Sequence, residues 1–293
     1  MLRRRGIGRA NYTRGLGALV LITASLSLPL IAAAEETGAP APFARDRSGR
    51  FKQQLRGLWV QKEYVDALRS EHSPFRASEL LTGVTDLRYD SIAESLVVGI
   101  NHHEWVGGPV ALDLEASRAA LKQNPKATLG VWKGTLEGYD VAITAGDSDT
   151  TLRCTGFDGT WTLTRVGSNP ARTLQEFVQA QLLGGRFVVQ DDKGQTLSRD
   201  LALYADGQIE GFAPYERFEL CTDFIDDVPR MDTVVLVDGA EHETRFALKW
   251  APETIGLYKL VGGGDPPNAA SQGGQLVYTL IRLTDPVHVM GSE

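Results

Sequence analysis

The chain has 293 residues and a formal net charge of −7 at pH 7, with 30 Lys and Arg against 37 Asp and Glu. Net negative charge repels phosphate backbones and anionic lipid, which sets nucleic-acid binding aside. Only two cysteines are present and no Cys-x-x-Cys pair, which excludes a thioredoxin-type redox motif and a zinc knuckle.

The chain opens with Arg3, Arg4, Arg5, Arg9 and Arg14, followed by the uncharged apolar stretch LGALVLITASLSLPLIAAA over 16–34. Small residues Ala32, Ala33 and Ala34 end it, and Glu35-Glu36 follow at once, the pattern of a cleaved export signal over 1–34. A membrane anchor is the rival reading, since a run of about 19 residues is borderline for spanning a bilayer. Pro29 and the Ala triplet favour cleavage. No Cys follows the run, and the arginines lack the remainder of a twin-arginine pattern. The expected location is the periplasm or the medium, with no transmembrane segment in the mature chain. Cleavage removes five Arg and no acid, leaving 25 basic residues against 37 acidic ones, a net of −12. In an oxidising compartment Cys154 and Cys221 are permitted to pair. The strand alternation places them on opposite-facing rows, and both states stay open.

Residues 35–50, EETGAPAPFARDRSGR, have the composition of a disordered lead-in. The folded part is expected over 51–285, with a short tail at 286–293. Helical spacing occurs in three places. Val60, Tyr64 and Leu68 recur at i, i+4, i+8; Asp113 to Gln123 precedes Asn124-Pro125; and Thr173-Leu174-Gln175-Glu176 is a capping box opening a helix that Gly184-Gly185 ends.

The remainder alternates with period two: Tyr139, Val141 and Ile143; Leu152 and Cys154; Trp161 and Leu163; Phe218, Leu220 and Phe224; Phe246, Leu248 and Trp250; Leu276, Tyr278 and Leu280. Asp158-Gly159, Asp191-Asp192-Lys193-Gly194, Asp206-Gly207 and Asp238-Gly239 punctuate these runs as turns. Short, regularly spaced strands with one apolar face predict an all-β, antiparallel barrel with one to three short helices. The alternative is two smaller β units divided near the Thr173 helix.

Three of the five Trp residues have Gly two places before them: Gly57-Leu58-Trp59, Gly130-Val131-Trp132 and Gly159-Thr160-Trp161. Gly permits a sharp strand entry, and the Trp two residues on returns to the same face. Gly57-Leu58-Trp59 resembles the Gly-x-Trp element on the first strand of lipocalins (calycins), and Thr222-Asp223-Phe224 resembles their later Thr-Asp-Tyr element. The resemblance implies an up-and-down barrel carrying a small apolar ligand, with Arg245 in the role of the arginine that packs across the Trp.

The densest polar cluster is Asn101-His102-His103-Glu104-Trp105. Were it to continue the strand from Ile92, His102 and Glu104 would share a face with Leu96, Val98 and Ile100. His102, Glu104 and His242 are metal-ligand types, but there is no HExxH, and no metal or cofactor is expected. There is no Gly-x-Ser-x-Gly either.

The function expected from the residues is an exported, lipocalin-like protein that binds a small apolar or amphipathic molecule in a barrel interior. Trp59, Tyr64, Trp132 and Trp161 are the expected lining, with His102 and Glu104 at the mouth. An envelope hydrolase acting at His102/Glu104 and a structural or partner-binding β protein with a filled core are the alternatives.

Overall fold

The computed structural model describes residues 53–90, 92–100, 104–123, 130–148, 150–169, 171–222, 231–260 and 273–283. The signal at 1–34, the lead-in, the tail, His102 and the pair Asp223-Phe224 lie outside them. Among the described residues the protein is an antiparallel β structure built from two sheets that belong to one compact unit.

The first sheet contains β1 (Gly57–Gln61), β2 (Val84–Asp90), β3 (Ser95–Ile100), β4 (Glu104–Pro109), β5 (Ala111–Asp113), β6 (Val131–Leu136), β7 (Tyr139–Ala145), β8 (Thr151–Gly156) and β9 (Gly159–Gly167). Consecutive strands pair, except β4 with β5, and β1 also pairs with β9, giving the order β4-β3-β2-β1-β9-β8-β7-β6-β5. The two edges press together: a Cβ on Gly134 of β6 would lie 2.6 Å from the Pro109 carbonyl, so only glycine lets β6 approach the end of β4.

The second sheet contains β10 (Gly185–Asp191), β11 (Thr196–Leu203), β12 (Ile209–Glu210), β13 (Tyr215–Leu220), β14 (Thr233–Asp238), β15 (Glu243–Trp250), β16 (Thr254–Leu260) and β17 (Gly273–Arg282). Here β10 pairs with β17, and the order is β12-β11-β10-β17-β16-β15-β14-β13. Its seam, between β12 and β13, is held by the bridge Gln208↔Arg217 and by Phe218 N–H donating to the Gly207 carbonyl at 2.7 Å. The barrel expected over 51–285 is thus two nearly closed barrels in tandem. Antiparallel meanders close locally, and the first strand of each finds the last strand of its own set.

Besides the helical residues 53–55, the helices are α1 (Lys62–Glu71), α2 (Pro74–Ser78), α3 (Leu114–Gln123) and α4 (Leu174–Leu182). The short α2 follows its own signal, with Ser73 Oγ accepting from Arg76 N–H and Pro74 in the first turn. The capping box of α4 is formed on both sides: Thr173 accepts from Glu176 N–H at 3.1 Å and Glu176 accepts from Thr173 N–H at 2.8 Å. Thr173→Ala should lower stability by ~1 kcal/mol in urea unfolding, because an orphan donor at the first turn loses its partner.

Strand alternation sorts the side chains. Trp59, Leu87, Tyr89, Trp132, Ile143 and Cys154 fill the first barrel. All five residues of β1 are buried, so its outer face is covered too. Leu58 and Val60 on that face join Tyr64 and Leu68 of α1, Phe177 and Val178 of α4 and the interior of the second barrel in one cluster. The sequence GLWV lacks a polar alternate because neither face of β1 meets water.

One device appears in both barrels. Gly57 (φ 120°) opens β1, and Trp59 sits opposite Arg165 of the last strand, β9, whose guanidinium lies 4.5 Å from the ring centre. Gly185 (φ 137°) opens β10, and Phe187 sits opposite Arg282 of β17, whose guanidinium lies 4.8 Å from that ring. Burial depresses the pKa of both arginines. A Cβ on Gly57 would stand 2.2 Å from the Gly167 carbonyl, so the first Gly-x-Trp is a steric requirement of barrel closure. The arginine across Trp59 is therefore Arg165 and not Arg245, which lies exposed on β15 in the other sheet. The cation must come from the strand that closes the same barrel.

Candidate functional site

The expected site residues fall into different places. Trp59 and Trp132 are buried in the first barrel at 2% and 1% exposure. Trp59 Nε1 donates to the Leu55 carbonyl at 2.8 Å, and Trp132 packs on Tyr89 with ring centres 5.4 Å apart. Trp161 is half-buried at the rim of that core, its ring filling the space beside Gly83 and Gly159. The second Gly in question thus serves its own Trp: a Cβ on Gly159 would meet that ring at 2.6 Å. Tyr64 is fully buried on α1 in the other cluster.

Glu104 is exposed and starts β4 opposite Ile100 of the antiparallel β3, so Glu104 does not continue the strand of Leu96, Val98 and Ile100. His242 lies in the turn between β14 and β15, its Nδ1 3.1 Å from Asp238 Oδ2. Cys154, buried on β8, and Cys221, just past the end of β13, are not joined in a disulfide, and burial pushes the Cys154 thiol up to about 12.

The feature that sequence reasoning missed is inside the second barrel. Leu201, Phe212, Leu236, Leu248, Leu257 and Leu280 are among the walls of a cavity lined only by Leu, Ile, Val and Phe. The cavity leaves about 20 Å³ for the centre of a water-sized sphere, room for about one water and well below the roughly 300–1,000 Å³ of small-molecule sites. Water placed there would find no polar partner, so the space favours an apolar guest.

The two ends of this barrel differ. At one end α4 is the floor: Leu183, just after it, lines the cavity. Gln179 of α4, 3% exposed, spans the seam, its Nε2 donating to the Ala205 carbonyl at 2.9 Å and its Oε1 accepting from Leu220 N–H at 3.1 Å. At the other end stand aromatic rings. Phe212, in the connection between β12 and β13, lies 5.3 Å from the Tyr215 ring and 5.2 Å from the Tyr278 ring, edge-on to the latter. The Tyr215 and Tyr278 side chains lie side by side against the Phe212 ring, and both residues are half-buried. Burial first, and then Tyr215, raises the Tyr278 pKa.

A second polar node joins the barrels. Asp232, 7% exposed, accepts from Phe75 N–H at 2.8 Å and from Trp250 Nε1 at 2.7 Å, so it ties α2 to β15. Burial outweighs these bonds, that from Ser73 and the charge of Arg76, and its pKa rises. Burial and the nearby Asp232 likewise raise that of Tyr64. Among the described residues no group of three or more His, Cys, Asp or Glu side chains could hold a metal ion. No helix among them is long and apolar enough to cross a membrane. No family model matches the chain, and neither the curated proteins nor the solved structures contain a significant match.

Proposed function

We propose that this is an exported carrier that holds a small apolar or amphipathic molecule inside its second barrel, while the first barrel serves as a packed scaffold. The observation that supports the reading is the cavity wall, which contains aliphatic and phenyl side chains alone. Such a wall offers area-proportional burial, about 25 cal/mol per Å² of apolar surface, and no group for acid–base or nucleophilic chemistry. Export rests on the cationic start, the apolar run and the Ala triplet of 1–34.

The test uses the full chain expressed with its own first 34 residues. The secreted or periplasmic product should begin near Glu35 by intact mass. Calorimetric titration with 1-octanol should saturate at one site, and Leu236→Phe, which fills the cavity, should abolish binding. Retention of 1–34 on a membrane-bound product would overturn export. Absence of saturable binding would instead favour the structural reading, for which the filled first barrel speaks.

A further inference from the structure

The cavity as it stands admits no guest larger than a water, so a carrier needs a movable wall. Phe212 is the one cavity-lining residue placed in the connection between β12 and β13, residues 211–214, beside the seam where the second sheet has its fewest backbone bonds. Gly211 precedes it at φ 78°, and its own ring rests on the Tyr215 and Tyr278 rings rather than in a strand ladder. The other described wall residues are carried by regular strands or, for Leu183, by the end of α4, and moving any of them would break ladder or helix hydrogen bonds.

The surroundings of the two tyrosines decide what kind of guest head can sit there. In the strand register Tyr278 lies opposite Asp191, and Tyr215 lies opposite Asp238. Asp191 and Asp192 occupy the turn after β10; Asp238, Glu241 and Glu243 surround the turn between β14 and β15. Lys193 lies in the first of these turns, Arg217 of β13 is already paired with Glu241, and Lys259 of β16 lies opposite Phe246, whose ring centre is 5.7 Å from that of Tyr278. Backbone N–H groups of Ala240 and His242 hold the Asp238 carboxyl below its ordinary range, so it stays ionised. An anionic head at the Tyr215–Tyr278 pair would therefore meet like charge, whereas a hydroxyl can both donate to and accept from the two phenols.

We propose that Phe212 is a displaceable plug over the second barrel's cavity, and that the Tyr215–Tyr278 pair between the acidic turns admits single-chain amphiphiles whose head carries no negative charge. This rests on the carrier reading of that barrel. The guest's chain replaces the Phe212 ring against the leucines, and its head takes hydrogen bonds from the tyrosines.

The experiment compares 1-octanol, octylamine and octanoate at pH 8 by calorimetry, on wild type, Phe212→Ala, Phe212→Leu and the double variant Tyr215→Phe/Tyr278→Phe. Expected are binding of the alcohol and amine, with octanoate weaker by about tenfold or more, a difference of ~1.4 kcal/mol. Phe212→Ala should tighten binding and admit 1-dodecanol; if it fails to fold by its thermal melt, Phe212→Leu should shift the same way by a smaller factor. The tyrosine double variant should weaken the alcohol while leaving n-octane uptake unchanged. Octanoate binding as tightly as octanol overturns the head-group selection. Folded Phe212 variants with wild-type affinity and chain-length preference overturn the plug. Failure of all three probes on every folded variant overturns the carrier reading itself, and octanol binding that survives Leu236→Phe places the site outside the barrel and overturns both.

Discussion

Trp59→Ala should remove ~3–5 kcal/mol of stability, the range for truncating a buried aromatic side chain. Three interactions disappear together: packing against the first barrel's core, the indole bond to the Leu55 carbonyl at 2.8 Å, and the ring beneath the Arg165 guanidinium. Arg165, already depressed in pKa by burial, would then face a void instead of a π surface. Chemical denaturation followed by circular dichroism measures the loss. A loss under about 1 kcal/mol would mean that the ring borders open space and not a packed core, as a ligand-lining role for Trp59 requires.

Asp232→Ala should destabilise by on the order of 3 kcal/mol, because Phe75 N–H and the Trp250 indole N–H, both partly buried, would lose this acceptor. The pH dependence of the milder Asp232→Asn change separates charge from hydrogen bonding. The folded protein raises the Asp232 pKa above its unfolded value near 4. Between these two values the folded state binds more protons than the unfolded one, so wild-type stability falls as pH rises through that window. Asn cannot ionise and escapes this fall. The penalty of Asp232→Asn should thus be largest at low pH and shrink as pH rises past the raised value. A penalty that grows with pH would show that the ionised carboxylate is the stabilising form, held by its donors and by Arg76.

Much of the fold was legible because its signals are local. The Thr173–Glu176 box became the first turn of α4, and the alternation Val141/Ile143, Leu152/Cys154 and Phe246/Leu248 became buried strand faces. The candidate site was less legible. Leu276, Tyr278 and Leu280 share a face in the sequence, but nothing local says that Leu280 borders a cavity while Tyr278 caps it. Gln179 reads as one polar residue on a helix; its role across the seam depends on Ala205 and Leu220, 26 and 41 positions away. The Trp residues drew attention as the largest rings, and two of them, Trp59 and Trp132, are buried in the core of the first barrel.

The sequence alone determined strand content, helix starts and the acidic surface, since each follows from backbone preferences and side-chain period within a few residues. Tertiary structure alone decided that the strands close twice, that Arg165 and Arg282 each stack on the aromatic of their own first strand, and that a cavity lies in the second interior. Closure and void volume depend on how distant side chains sum to fill a barrel, a quantity no short stretch of chain contains.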